Sequence, residues 1–336
     1  MTQPAETRLR VALPTLGERA RVLISAVVSV VVVVGPLLVL FAVGAGSGSA
    51  PAASAAAASP HHRAAVHRPS GPRRPAALPG GRSTVFGDGH FLVAYYGTAG
   101  TGALGVLGQS SPARMQRQLA KAGEAFARKG RPVQLVYELI VSIADQHPGK
   151  DGDYSHDLSR NQVEPYLRAA HRNNALLLLD IQTGHSDFLK VAKRWRWALQ
   201  DPWVGLALDP EWRMWHGNVP GHVIGHVGAG EINRTSAWLS RLVARQHLPQ
   251  KLFVVHQFRT AMIRHIDRVE QRPGLALVQH VDGFGTPGEK KATFHAVAQP
   301  RQFTLGFKLF YQADVHRMSA KQVFRLRPKV RFVSFQ

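Results

Sequence analysis

From residue 91 to the C-terminus, short apolar runs alternate with amphipathic segments. The runs cover residues 91–96, 133–140, 175–181, 204–208, 252–258, 275–281, 303–310 and 330–335. Each is nearly continuous rather than alternating, the pattern of strands buried on both faces. The intervening segments carry helical spacing and recognisable starts. Ser111–Pro112 opens one helix, with Met115, Leu119, Ala122 and Phe126 on one face and Gly130 just past its end. Ser186 opens another, with Phe188, Val191, Ala192, Trp195 and Leu199 at helical spacing, and residues 232–246 give a third.

Eight strand–helix units in about 250 residues have the size and rhythm of an α/β (β/α)₈ TIM-like barrel. Residues 86–336 are expected to form this single domain. The sixth and seventh helices read as short, and an eighth is missing because the chain ends on a strand. A doubly wound open sheet is the alternative fold.

The N-terminal part follows different rules. Residues 22–43 carry no charge and are apolar apart from Ser25, Ser29, Gly35 and Pro36. At ~1.5 Å per residue such a helix crosses the ~30 Å hydrocarbon core. It exceeds the ~7–15 apolar residues of a secretory signal, so a retained single transmembrane anchor is expected. Later cleavage in the Ala-rich stretch that follows is the alternative. Arg8, Arg10, Arg19 and Arg21 precede the span, and the next charge is Arg63. Residues 1–21 then form a cytoplasmic tail, and the C-terminal domain faces outward. Residues 44–85 are rich in Ala, Ser, Gly and Pro and then in Arg, His and Pro. They offer little to bury and read as a disordered linker.

Cysteine is absent, which excludes disulfides, thiolate nucleophiles and Cys-based metal sites. The net charge is +21, and residues 86–336 hold 33 Lys and Arg against 19 Asp and Glu. That surplus favours acidic surroundings. Outside a cell these are polysaccharide or anionic cell-wall polymers and lipid headgroups rather than nucleic acid. A high-GC genome that spells Arg often accounts for the surplus equally well.

In a barrel of this kind the strand C-termini form the active face. Four strands end in polar residues at i, i+2, which alternation places on one side of a strand. The pairs are Asp180 and Gln182, Asp209 and Glu211, and His280 and Asp282, with His256 before Phe258 and beside Gln257. Glu138 lies in the second run and reaches toward the same mouth. Each acid alone reads as a helix cap or an Arg partner; together they suggest convergence. Carboxylates meeting at a barrel mouth, without cysteine or a nucleotide motif, point to glycosidic bond cleavage. One carboxyl then donates a proton and another serves as nucleophile or base. Asp209, Glu211 and Asp282 are the catalytic candidates. Asp180, Gln182, His256 and His280 would hold sugar hydroxyls, and Trp212, Trp215 and Tyr96 would stack on sugar faces.

The stretch Leu206-Ala-Leu-Asp209-Pro-Glu211-Trp212 resembles the fourth-strand end of barrel glycoside hydrolases, in which an acid on that strand is catalytic. Asp209 with Asp282 looks like the fourth-and-sixth-strand pairing of α-galactosidase-type barrels. Asp209-Pro-Glu211 is equally similar to the acid-x-acid ending of chitinase-type barrels, whose two further upstream acids are absent. No carboxylate ends the seventh strand, against the common fourth-plus-seventh arrangement.

Gly100-Thr-Gly102-Ala-Leu-Gly105 matches a dinucleotide fingerprint, but the next helix starts separately at Ser111–Pro112 and Glu138 lies well beyond the ~20-residue spacing of the ribose-binding acid. No cofactor is expected; a glycine-rich loop over the mouth is. A metal-dependent hydrolase is the second reading, with His256, His280, Asp180, Asp209 and Asp282 as possible ligands. The first strand lacks the His-x-His pair of amidohydrolase barrels, so no metal is assigned. A catalytically inactive polysaccharide-binding barrel is the third.

Overall fold

The computed structural model describes residues 76–215 and 217–336. Eight parallel strands close a barrel. They are β1 (Phe91–Gly97), β2 (Val133–Ala144), β3 (Leu176–Ile181), β4 (Val204–Leu208), β5 (Lys251–Gln257), β6 (Leu275–Val281), β7 (Thr304–Leu309) and β8 (Val330–Phe335). Closure is explicit: β1 pairs with β2 on one side and with β8 on the other. The eight apolar runs are these eight strands, buried on both faces as their continuity predicts. The open sheet is thereby excluded.

Helices coat the outside: α1 (Pro112–Glu124), α2 (Arg160–Arg172), α3 (Phe188–Arg194), α4 (Arg196–Leu199), α5 (Ala229–Arg245), α6 (Pro287–Val297) and α7 (Ala320–Phe324). Asp187 rather than Ser186 caps α3, accepting from Leu189 N at 2.8 Å. The expectation of short sixth and seventh helices needs one correction. The connection after β6 carries the three-turn α6, opened by a Thr286–Glu289 capping box. The connection after β5 is the deficient one, with two single 3₁₀ turns, Thr260–Met262 and Ile266–Arg268.

The core has two layers. Outward-facing strand residues pack on the helices, while Leu92, Ala94, Val136, Leu178, Ala207, Leu252, Val254, Val278 and Phe332 fill the lumen. Leu78 and Val85 join the lumen group at its floor. Arg82, also buried, donates to Pro79 O (3.0 Å), Val85 O (2.9 Å) and the Gln134 side chain. Trp203 Nε1 donates to Ala77 O at 2.8 Å. Residues 76–85, which composition assigns to the linker, therefore belong to the folded domain. The tail, the 22–43 anchor and the remainder of the linker lie outside the described residues. Among the described residues no helix is long and apolar enough to cross a membrane.

Candidate active site at the barrel mouth

Strand parity decides which polar side chains enter the lumen. Asp180 of β3, His256 of β5, His280 of β6 and Lys308 of β7 point inward near the C-terminal ends of their strands, Glu138 does so midway along β2, and all are buried. His256 Nε2 lies 3.0 Å from Glu138 Oε1 and 3.2 Å from Asp180 Oδ2. The Nδ1 atoms of His256 and His280 each lie 2.7 Å from a different Asp282 oxygen. Lys308 Nζ sits 3.0 Å from Asp282 Oδ2 and 3.7 Å from the centre of the Tyr96 ring. Tyr96 OH is 3.4 Å from Asp209 Oδ2 and accepts from Gln182 Nε2 at 3.3 Å.

The carboxyl groups expected to converge do so, together with Glu138, but not all by the expected geometry. Asp209 and Glu211 are not two inward positions of one strand, because β4 ends at Leu208 and Pro210–Trp212 is a 3₁₀ turn. The turn nevertheless leaves Glu211 within the fields of Lys308, Asp282, His256 and Asp180. Gln257 does not reach the mouth. Its neighbour His256 faces in, so Gln257 faces the outer layer, accepting from Gln279 Nε2 at 2.6 Å and donating to Arg259 O. Trp212 is half-buried. Trp215 lies on the surface, stacked on His226 and under the Arg213 guanidinium.

The loop after β4 is pinned in place. Arg213 forms a buried ion pair with Glu231 at 3.0 Å, and Gly225 N donates to Glu211 O at 2.7 Å. The glycine-rich loop after β1 is likewise packed down. A Cβ on Gly105 would collide with the Tyr96 carbonyl, so that glycine (φ 142°) lets the loop lie on the strand end. Tyr95 faces the helical layer, where its hydroxyl lies 3.2 Å from that of Tyr311.

Electrostatics separates the acids into two groups. Burial alone would raise Asp282, but His256, Lys308 and the hydrogen bonds from both histidines hold it well below the usual carboxylate range. Burial also works against charge on Glu138, yet the nearby His256, with His280 and Lys308, keeps it low. Asp209 and Glu211 go the other way. Burial, then the charges of Glu211 and Asp180, push Asp209 well above its ordinary value. Burial raises Glu211 to about 7, with Lys308 opposing and Asp282 reinforcing the shift. Asp180 is also raised, chiefly by burial. His256 is raised well above its ordinary value because Asp282 and the neighbouring acids outweigh its burial, whereas burial lowers His280.

Two mouth residues escape a reading of strand ends. Lys308 lies inside an apolar run, and Ser334, level with it on β8, has a buried hydroxyl without a hydrogen-bond partner. A lone lysine in a strand buried on both faces is the mark that reveals the first; nothing in the sequence distinguishes the second. In comparisons with known proteins, no family model and no curated protein matches the chain. Function is read from the site.

Proposed function

We propose that the barrel is an extracytoplasmic hydrolase that cleaves glycosidic bonds of a cell-envelope or environmental polysaccharide. The observation that carries this reading is the Asp209–Glu211 pair at the end of β4, both raised, with Glu211 at about 7 and still partly open to solvent. Two coupled carboxyls titrate as a unit, so the pair holds one proton where one charge is tolerated. Glu211, the more accessible member, donates that proton to the leaving oxygen. Asp209 then acts as nucleophile or as base for water. Asp282 is committed to His256, His280 and Lys308 and serves as a positioning residue. The 22–43 anchor would hold the domain outside the membrane, where its basic surface meets anionic wall polymer.

The test is turnover of a panel of envelope polysaccharides by Glu211→Gln and Asp209→Asn. General acid–base groups typically contribute ~10²–10⁴-fold. Both variants should lose turnover by that order while retaining a cooperative unfolding transition and polymer binding. Wild-type rates in both would remove the reading, and binding without turnover in the wild type would leave a polysaccharide-binding barrel.

A further inference from the structure

Five carboxyl groups, those of Glu138, Asp180, Asp209, Glu211 and Asp282, surround one ammonium, Lys308, and two imidazoles. Lys308 reaches Asp282. Both oxygens of Glu138, both oxygens of Asp180 and Nε2 of His256 are buried without any hydrogen-bond partner. A buried carboxylate without a donor is costly, and here two such groups face one another across a ring nitrogen.

The spacing of these atoms is informative. His256 Nε2 stands 3.0 Å from Glu138 Oε1 and 3.2 Å from Asp180 Oδ2, yet no N–H is aligned with either oxygen. Ligand atoms about 2.1 Å from a common ion stand about 3.0 Å apart at a right angle and about 3.4 Å apart at the tetrahedral angle. Both His256 distances fall in that interval, and the ligand atoms of all three residues lie within 4.8 Å of one another. Asp282 completes the pattern from behind. It accepts from His256 Nδ1 at 2.7 Å and is itself fixed by Lys308 and His280. A histidine whose Nδ1–H is donated to a carboxylate presents its Nε2 lone pair to a metal, the usual outer-shell arrangement of metal-binding histidines.

We propose that Glu138, Asp180 and His256 bind a divalent transition-metal cation at the barrel mouth. One imidazole with two carboxylates suits zinc and its first-row neighbours better than calcium or magnesium, which take oxygen ligands. The ion would take the place of the proton on His256 Nε2 and add to the positive charge of Lys308. Its site rests on the unpartnered ligand atoms and holds whichever bond the mouth cleaves. Asp180 is level with Ala207, two residues short of Asp209, so the ion lies deeper than the acid pair.

The test measures metal, not turnover. The full chain, stripped with chelator, should take up one zinc ion that Glu138→Gln, Asp180→Asn and His256→Gln each fail to retain. Asp282→Asn, which touches no ion, should bind it about 10–100-fold more weakly. Surface and linker histidines also bind zinc, so the variants rather than total zinc decide. Equal uptake by wild type and all three ligand variants overturns the site. If the variants fold poorly, anomalous scattering at the zinc edge from the wild-type protein decides instead: a peak between the three side chains supports the site, and its absence leaves a histidine-bridged ion pair. Glu211→Gln should bind zinc normally, so a failure of the acid–base reading leaves this result standing.

Discussion

Lys308 places its ammonium 3.0 Å from Asp282 Oδ2, with both groups buried inside the barrel mouth. Burial opposes its charge, but Asp282, Glu138 and Asp209 together raise its pKa, so it stays charged. Removing one member of a buried ion pair costs ~3–5 kcal/mol because the other remains uncompensated. Lys308→Met should therefore lower stability by that amount, read from the urea midpoint. An unchanged midpoint would mean that the mouth carries less negative charge than five carboxyls imply.

The same lysine sets the pH response of Glu211. Lys308 lowers the Glu211 pKa, which still stands at about 7. Loss of its proton abolishes general-acid activity, so turnover should fall as pH rises through about 7 in the wild type. A Lys308→Met chain that retains activity should move this alkaline limb to higher pH. Movement to lower pH, or no alkaline limb, would remove Glu211 from the acid role.

Stability gives an independent reading of Glu211. Its folded-state pKa lies above the unfolded carboxyl value, so ionisation disfavours the fold. The penalty is absent below about pH 4 and complete above about pH 7. Glu211→Gln should consequently stabilise the protein by about 2 kcal/mol at pH 8, allowing for partial exposure, and by almost nothing at pH 4. Chemical denaturation at the two pH values checks the difference.

Gly306 marks a packing constraint that the buried His280 ring imposes on a strand. It is level with His280 on the neighbouring strand, and a Cβ there would collide with the His280 ring, which lies edge-on to Phe332. Overpacking of this kind costs ~1–3 kcal/mol. Gly306→Ala should lower the thermal midpoint and disturb the His280–Asp282 contact, visible as a shifted imidazole resonance. A variant identical to wild type in both would show that His280 has room to spare.

What was legible in the sequence follows from how each feature is encoded. Strands buried on both faces have no polar alternation to blur them, so the eight runs stand out, and polar residues at their ends mark the mouth. Parity separates His256 from Gln257, since adjacent residues cannot both face inward. Lys308 is hidden because the apolar run continues past it through Leu309 and Phe310, so no polar strand end marks it. Glu211 was found for an incomplete reason, because a 3₁₀ turn rather than strand alternation brings it to the mouth. The lack of a helix after β5 is unreadable because residues 259–272 carry enough apolar positions, Met262, Ile263, Ile266 and Val269, to resemble a short helix while forming turns.

The floor of the barrel was the least legible feature, and it yields the sharpest test of where the domain begins. Leu78 and Val85 sit among Ala, Pro, Gly and Arg, a composition that by itself indicates a linker. Yet both are buried against the lumen residues, and Arg82 ties the segment to Gln134 of β2. A barrel whose top is polar and charged depends on its lower layers for apolar burial, and an open floor would expose them to water. Burying one Leu or Val side chain contributes ~1.5–3 kcal/mol, so the two together contribute about 3–6 kcal/mol. A fragment spanning residues 76–336 should unfold cooperatively. One spanning 86–336 should be less stable by at least about 3 kcal/mol and should bind a hydrophobic dye at its open floor. Equal urea midpoints for the two fragments would return residues 76–85 to the linker.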